Sequence, residues 1–125
     1  MQVLVVEDDL DIQELVVALL SRDGYDVVAE DEGWAGLAAA LAGSPDLVIL
    51  DWMMPGMSGI EVCRAIRADP RTAHVPILML TSKAQEGDID QAFSLGANDY
   101  MVKPFRGREL VSRVRALTTK DTGQS

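Results

Sequence analysis

The sequence predicts an α/β fold in which a five-stranded parallel sheet carries helices on both faces. Short runs of β-branched and aliphatic residues alternate with segments of helical period, five times along the chain. These runs are almost continuously apolar, which is typical of strands covered on both faces. A chain of 125 residues can bury such a core as one domain. Together these observations predict a doubly wound sheet.

The predicted strands follow one another with room for one helix between each pair. They occupy residues 3–6, 27–29, 47–50, 76–80 and 100–102. Apolar residues at helical spacing mark the first helix (Ile12, Leu15, Val16, Leu19) and the last (Leu110, Val114, Leu117). Gly24, Gly43 and Gly96 each follow a helical segment, so we expect each to end its helix in the left-handed conformation.

Residues 1–119 are expected to form the folded domain, because no linker-like segment interrupts the alternating pattern. Residues 120–125 lack this periodicity and are expected to be a disordered tail or the start of a linker.

Acidic residues dominate the first half of the chain. Residues 1–62 hold thirteen acids and one base, a net charge of -12, whereas residues 63–125 hold seven acids and ten bases, a net of +3; the sum is -9. Phosphate backbones repel so acidic a surface, and the sequence contains no basic stripe with interleaved aromatic residues. Direct contact with nucleic acid is therefore not expected.

Two isolated residues have unremarkable interpretations. The single Cys63 excludes an internal disulfide and is expected to pack in the core, and His74 lacks a partner at catalytic spacing. No apolar stretch approaches the length of a membrane span. These features predict a soluble, cytoplasmic protein without a membrane partner.

Polar side chains stand where the predicted strands end. Glu7 and Asp8 follow the first strand, Asp51 the third, Thr81 the fourth and Lys103 the fifth. In open α/β sheets, functional sites lie beyond the carboxyl ends of the strands, so these side chains should lie together at one edge of the sheet. Each alone could be a helix cap or a surface charge. Their joint placement favours a functional site.

Three carboxylates at one edge should attract a cation. Two like charges about 4 Å apart repel by roughly 4 kcal/mol at an effective dielectric constant near 20. Oxygen ligands of this kind favour Mg²⁺, for which Mn²⁺ could substitute, over a Ca²⁺ cage. No EF-hand loop, zinc spacing or Gly-rich phosphate loop is present as a competing site. A metal beside Asp51, with Lys103 and a hydroxyl facing it, could receive a phosphoryl group on the carboxylate.

Four segments resemble, in order and spacing, the receiver domain of bacterial two-component response regulators: VLVVEDD, LVILDWMMPGMSG, ILMLTSKA and GANDYMVKPF. The likeness runs from residue 2 to about residue 118. It implies a (βα)5, flavodoxin-like fold with strand order 2-1-3-4-5. It also implies a phosphorylation-activated signalling switch rather than an enzyme, since such a domain catalyses only its own phosphoryl uptake and hydrolysis.

The resemblance assigns the phosphoacceptor and the metal ligands. Asp51 is implied to accept the phosphoryl group. Asp8, Asp51 and the backbone carbonyl of Met53 are implied to ligate Mg²⁺, with Glu7 acting through a bound water. Met53 and Lys83 are also implied to tune how fast water removes the phosphoryl group, and because a thioether positions water poorly, we expect slow self-dephosphorylation.

The resemblance also implies how the signal leaves the site. Thr81 and Lys103 are implied to contact the phosphoryl group, and Tyr100 to turn inward when Thr81 moves. The peptide bond before Pro104 is implied to be cis. The fourth helix, fifth strand and fifth helix would then shift together as the output face.

The implied partners are a histidine kinase or histidine phosphotransfer protein as donor, and a downstream protein or C-terminal output domain as target. A homodimer through the output face is a further option. Asp99, Glu109 and Arg113 match the charge network of relatives that dimerise in this way, whereas Ile89 and Asn98 replace a usual base and a usual acid. A stand-alone regulator and a fragment of a longer one both remain open.

Three alternatives compete with this interpretation. A phosphohydrolase of the haloacid dehalogenase type uses similar groups, but its nucleophile ends the first strand in a DxDxT-like motif, which this chain lacks. A flavodoxin-like redox module would need a Ser/Thr/Gly-rich loop after the first strand, and none is present. A phosphorylation-independent pseudo-receiver is disfavoured by the intact set of Asp51, Thr81 and Lys103.

Overall fold

Five parallel strands form one sheet at the centre of the computed structural model, which describes residues 1–82 and 86–119, without the side chains of residues 86–88. The strands are β1 (Gln2–Val6), β2 (Asp26–Glu30), β3 (Leu47–Asp51), β4 (Ile77–Thr81) and β5 (Asp99–Val102). Their spatial order is β2-β1-β3-β4-β5, and each neighbouring pair is parallel. The predicted fold and strand order are confirmed, and no observed strand end differs from its prediction by more than one residue.

Helices cover both faces of the sheet. They are α1 (Leu10–Arg22), α2 (Gly33–Gly43), α3 (Gly59–Ala68), α4 (Glu86–Ser94) and α5 (Gly107–Thr118). One core cluster joins the sheet to α1 and α5, and a second joins its other face to α2, α3 and α4. The strands are buried on both sides, which explains why their sequences are continuously apolar.

Alternate residues of the central strands supply the two clusters. In β1, Val3 and Val5 pack toward α1 and α5, whereas Leu4 and Val6 pack toward α2 and α3. All five residues of β3 are buried, including Asp51 at its end. Burying a Val or Leu side chain stabilises the fold by about 1.5–3 kcal/mol. The apolar residues of β3 therefore hold its terminal carboxylate in a fixed place.

Two of the three predicted left-handed glycines are confirmed. Gly24 and Gly96 have φ angles of +94° and +108° after α1 and α4. The prediction for Gly43 is wrong, because Ser44 is the left-handed residue, with a φ of 49°. α2 continues through Gly43, where a Cβ would lie 3.2 Å from Gln2 Oε1, so the turn falls one residue later.

Residues 120–125, predicted to form a tail or linker, and Lys83 lie outside the described residues. Within the described part of the chain, no helix has both the length and the apolar character that a membrane span requires.

Candidate functional site

The sheet brings the predicted site residues to its carboxyl edge. β1 ends just before Glu7 and Asp8, and the next strand in space, β3, ends at Asp51. The following strand, β4, ends at Thr81, and β5 ends just before Lys103. Because these four strands are parallel and adjacent, all five side chains lie at one edge, as predicted.

Three carboxylates converge there around one ammonium group. One oxygen from each of Glu7, Asp8 and Asp51 lies within 4.8 Å of the other two. Lys103 Nζ is 2.6 Å from Glu7 Oε1 and 3.2 Å from Asp51 Oδ1. Glu7 is fully buried and Asp51 is 5% exposed, whereas Asp8 is exposed. The site therefore opens to solvent at Asp8 and holds more negative than positive charge.

Burial and crowding change the acidity of these groups. Burial, together with the adjacent Glu7 and Asp8, raises the pKa of Asp51 to about 8. Burial opposes ionisation of Asp8, but its hydrogen bonds with Asp51 and Glu7 outweigh that effect and lower the Asp8 pKa. Burial likewise disfavours the charged form of Lys103, yet its contacts with Glu7 and Asp51 raise the Lys103 pKa overall. Burial and the neighbouring carboxylates therefore both favour the protonated form of Asp51.

The donor set fits a hard divalent cation. Its potential ligands are carboxylate oxygens, which Mg²⁺ prefers. Glu7 Oε1 is buried and, despite its close contact with Lys103, accepts no hydrogen bond of good geometry. Lys103 balances only part of the negative charge of the three carboxylates, which favours binding of a cation. The Glu7, Asp8 and Asp51 cluster could therefore hold a metal ion.

The loop that carries Glu7 and Asp8 is held at several points. Asp9 caps α1 through its side chain, and its backbone N–H donates to Glu7 Oε2 over 3.1 Å. Gln13 Nε2 donates to the backbone carbonyls of Glu7 and Glu30, both at 3.1 Å, and so ties the ends of β1 and β2 to α1. The sequence reasoning missed Gln13. The sequence offers only one indication of this role: Gln13 is an amide side chain in the first turn of the helix that follows the acidic loop.

The loop after Asp51 is anchored on its other side. Trp52 is buried, and Gly59 begins α3 so close to β3 that a Cβ there would lie 2.0 Å from the Asp51 carbonyl oxygen. Ser58 caps α3 in a reciprocal pair of hydrogen bonds with Glu61. Glycine is therefore required where β3 meets α3, and this requirement helps to position Asp51.

The methionines of this loop divide between core and surface. Met54 and Met57 are buried, whereas Met53 is 57% exposed. The Met53 backbone N–H lies 3.4 Å from Asp51 Oδ1, in a long hydrogen bond. The exposed Met53 side chain therefore lies next to the site without packing in the core.

The predicted switch residues lie on β4 and β5. Thr81 is buried at the end of β4, and its carbonyl accepts a 2.8 Å hydrogen bond from the Lys103 N–H. Tyr100 is half-buried and makes an edge-to-face contact with Phe93, with ring centroids 5.8 Å apart. The peptide bond between Lys103 and Pro104 is cis.

The charge network that relatives use for dimerisation forms here within one chain, between Asp99, Glu109 and Arg113. Arg113 lies 2.8 Å from an Asp99 oxygen and 3.1 Å from a Glu109 oxygen. Asn98 makes two hydrogen bonds within the fold: its Oδ1 accepts from the Ile77 N–H and from Arg67, both at 2.8 Å. Asn98 therefore serves the start of β4 rather than the charge network around Arg113.

Arg67 is a second residue that the sequence reasoning missed. Its guanidinium donates to the carbonyls of Gly96, Ala73 and Val75 as well as to Asn98. One side chain on α3 thus fixes the loops that lead into β4 and β5. Nothing in the sequence distinguishes this arginine from other surface arginines.

Cys63 packs in the core, as predicted, and His74 lies at the surface. Cys63 is fully buried, and burial raises the pKa of its thiol. His74 is exposed. Neither belongs to the site at the carboxyl edge.

Comparison with known proteins gives a consistent result. The family model described as the response regulator receiver domain matches residues 3–115. The DNA-binding response regulator MtrA of Mycolicibacterium paratuberculosis is 45% identical over 92% of this chain, and the phosphate regulon transcriptional regulatory protein PhoB of Pseudomonas aeruginosa is 40% identical over the same share. The match covers 50% of each relative, so the chain spans about half their length.

A solved structure agrees in fold. The chemotaxis protein CheY4 of Vibrio cholerae superimposes with a TM-score of 0.89 and 32% identity, covering 93% of this chain and 97% of that one. The similarity therefore extends over nearly the whole of both folds.

Proposed function

The chain belongs to the response regulator receiver family, and from this membership and the geometry of the site we propose a phosphorylation-activated signalling switch with Asp51 as phosphoacceptor. The observation that carries the proposal is the convergence of Glu7, Asp8 and Asp51 within 4.8 Å, with Lys103 between two of them. A structural role alone would not favour three carboxylates at one edge, because their repulsion costs stability.

The chain's own groups account for the transfer. An Asp51 side-chain oxygen forms a bond to phosphorus while the bond from phosphorus to the donor nitrogen breaks, and the bonding electrons stay on that nitrogen. Lys103 then pairs with one phosphoryl oxygen, and the Thr81 hydroxyl donates a hydrogen bond to another. Thr81 ends β4 and Lys103 directly follows the neighbouring strand β5, which supports a joint role.

Mg²⁺ is the cofactor that this donor set suits best. Asp8, Asp51 and the Met53 carbonyl would hold it, with Glu7 acting through a water. When bound, it would supply positive charge that offsets the carboxylates and the phosphoryl oxygens.

A histidine kinase or histidine phosphotransfer protein is the proposed donor, and the face formed by α4, β5 and α5 is the proposed output. Phosphorylation adds about -1.5 to -2 charges at the strand ends, which draws Lys103 and Thr81 toward Asp51.

MtrA is described as DNA-binding and PhoB as transcriptional, and each is about twice as long as the matched segment. A DNA-binding output region is therefore the proposed target of the switch.

The exposed thioether of Met53 supports a long-lived phosphoryl group. It offers no strong hydrogen bond to hold an attacking water beside Asp51. We expect Met53→Asn, which adds an amide at this position, to shorten the lifetime of the phosphorylated protein. A wild-type lifetime of only seconds in Mg²⁺ buffer would contradict this part of the proposal.

Intact-mass measurement tests the central assignment. Wild type, Asp51→Ala and the exposed-acid control Asp26→Ala are incubated with Mg²⁺ and acetyl phosphate. We expect one phosphoryl group on wild type and on the control, and none on Asp51→Ala. An equal mass gain in all three would remove Asp51 from its role.

The same samples separate the switch from a phosphohydrolase of the haloacid dehalogenase type. Such an enzyme would release phosphate from added phosphomonoesters over many turnovers, whereas the switch should retain one phosphoryl group. The sequence at the end of β1 argues against the enzyme, because the DxDxT-like motif is absent there.

A further inference from the structure

α2 is apolar on both its buried side and its outer side. It reads GWAGLAAALAG, with no charged residue and no polar group beyond the indole N–H of Trp34. Its buried residues are small, namely Gly33, Gly36 and Ala40, and Leu37 and Ala39 pack partly against the same core. A Cβ on Gly36 would lie 2.6 Å from the Val6 side chain, so glycine allows this close packing. The largest residue points the other way, and Trp34 is 66% exposed.

The outer side of the helix is apolar along its length. Trp34, Ala38, Leu41 and Ala42 recur at i, i+4, i+7 and i+8, and all are exposed or half-buried. We call this stripe the α2 face. A helix that is hydrophobic all round is normally buried, and tryptophan is enriched in protein interfaces. The α2 face therefore has the composition of a surface that another molecule covers.

Acidic residues lie just before the N-terminus of α2 and on the neighbouring strand β2. Val28 of β2 is on the same side of the sheet as α2, because it is in register with Leu4, which packs toward α2. The acids nearest to it along the chain are Asp26, Glu30, Asp31 and Glu32. Residues 23–63 contain eight acids and no lysine or arginine. A partner for this face must offer apolar side chains flanked by positive charge.

We propose that the α2 face docks a helix of a partner protein whose apolar stripe is flanked by lysine and arginine. Ala38 and Ala42 leave room for a second helix to approach closely, and Trp34 supplies the large apolar anchor. A second copy docked through the same face would place two acidic borders against each other. An anionic membrane or nucleic acid would meet the same repulsion. This inference does not depend on phosphorylation of Asp51.

The probe is a short Leu/Lys peptide whose leucines recur at helical spacing, with a scrambled peptide of identical composition. Binding to the full chain is followed by calorimetry and by amide chemical shifts. We expect the patterned peptide to perturb α2 and β2, and Trp34→Ala to weaken its binding about tenfold or more. Leu15→Ala removes an exposed apolar residue from α1 and should leave the affinity unchanged.

Charge variants complete the test. Asp31→Asn with Glu32→Gln should reduce the salt dependence of binding, whereas Asp11→Asn with Glu14→Gln on α1 should not. Equal affinity for the scrambled peptide, or equal loss in the α1 and α2 variants, would reduce the interaction to diffuse charge attraction and overturn the proposal. So would a dimer in light scattering that Trp34→Ala abolishes, because the occupant would then be a second copy.

Discussion

Replacing Asp51 with asparagine should stabilise the metal-free protein, although it removes the proposed phosphoacceptor. Asparagine keeps the shape of the side chain and an oxygen for the Met53 N–H. The substitution removes one of three carboxylates that lie within 4.8 Å of one another. It also removes the attraction between Asp51 and Lys103, so the sign of the effect depends on which contribution is larger.

The distances decide that balance. At an effective dielectric constant near 20, charges 4.8 Å apart repel by about 3.5 kcal/mol, so the contacts of Asp51 with Glu7 and Asp8 together cost at least about 7 kcal/mol. The attraction to Lys103 at 3.2 Å is worth about 5 kcal/mol on the same scale. The asparagine variant should therefore gain about 2 kcal/mol where Asp51 is fully ionised, and relief of carboxylate burial adds to that gain.

The gain should depend on pH in a defined direction. The Asp51 pKa is about 8 in the folded chain, above its ordinary value of 3.8, so the folded state binds this proton more tightly. The resulting stability is present below about pH 4 and is lost as pH rises toward 8. The advantage of Asp51→Asn over wild type should therefore grow across this interval and level off above it.

Urea unfolding followed by far-ultraviolet circular dichroism measures the effect without relying on Trp52 beside the mutation. Asp26→Asn changes net charge equally at an exposed position and should stay within about 0.5 kcal/mol of wild type. If Asp51→Asn were less stable than wild type above the Asp51 pKa, or if its advantage fell as pH rose, the claim that carboxylate repulsion dominates would be refuted.

Four further outcomes can be checked by unfolding and metal titration. Mg²⁺ at a hundredfold excess over its dissociation constant should stabilise wild type by about 2.7 kcal/mol, and the Asp8→Ala, Asp51→Ala double variant should lose this gain in thermal melts. Gln13→Ala should weaken Mg²⁺ binding about tenfold while lowering unfolding free energy by only about 1 kcal/mol; unchanged affinity by calorimetry would contradict its positioning role. Gly59→Ala should destabilise the fold by about 3 kcal/mol in urea, because its Cβ would meet the Asp51 carbonyl. Arg67→Lys should cost about 2 kcal/mol, since an ammonium cannot reach the same set of carbonyls, and wild-type stability would show that these bonds contribute little.

The strands and the location of the site could be predicted because the relevant signals are local and repetitive. Each strand is a continuous apolar run, and parallel strands place their carboxyl ends at one edge. Asp51, Thr81 and Lys103 could therefore be grouped although they are far apart in sequence. The end of α2 was less predictable, because Gly43 and Ser44 are adjacent and the left-handed turn falls on the serine, whose N–H donates to the Ala40 carbonyl.

Other features depend on contacts that no local pattern encodes. Asp51 was predicted to accept a phosphoryl group, but its low exposure was not predicted: its side chain is only 8% exposed. Lys103 reaches past Asp51 to the buried Glu7, and this choice depends on side-chain geometry at the meeting of three strands. Arg67 and Gln13 donate hydrogen bonds to backbone carbonyls, which every residue carries. The sequence therefore does not indicate which residues are their partners.

The pairing of Lys103 with Glu7 suggests how the proposed switch transmits its signal. A phosphoryl group on Asp51 would compete with Glu7 for the ammonium, and its charge of about -1.5 to -2 exceeds that of one carboxylate. Lys103 directly follows β5, and Asp99 at the start of that strand is bound to Arg113 of α5. Movement of Lys103 toward Asp51 would therefore act on β5 and α5 together. In a Glu7→Gln variant, the neutral side chain should no longer compete with Asp51 for the Lys103 ammonium. Lys103 should then move less on phosphorylation, so the amide signals of α5 should shift less than in wild type. An undiminished shift would mean that Lys103 does not link Asp51 to α5.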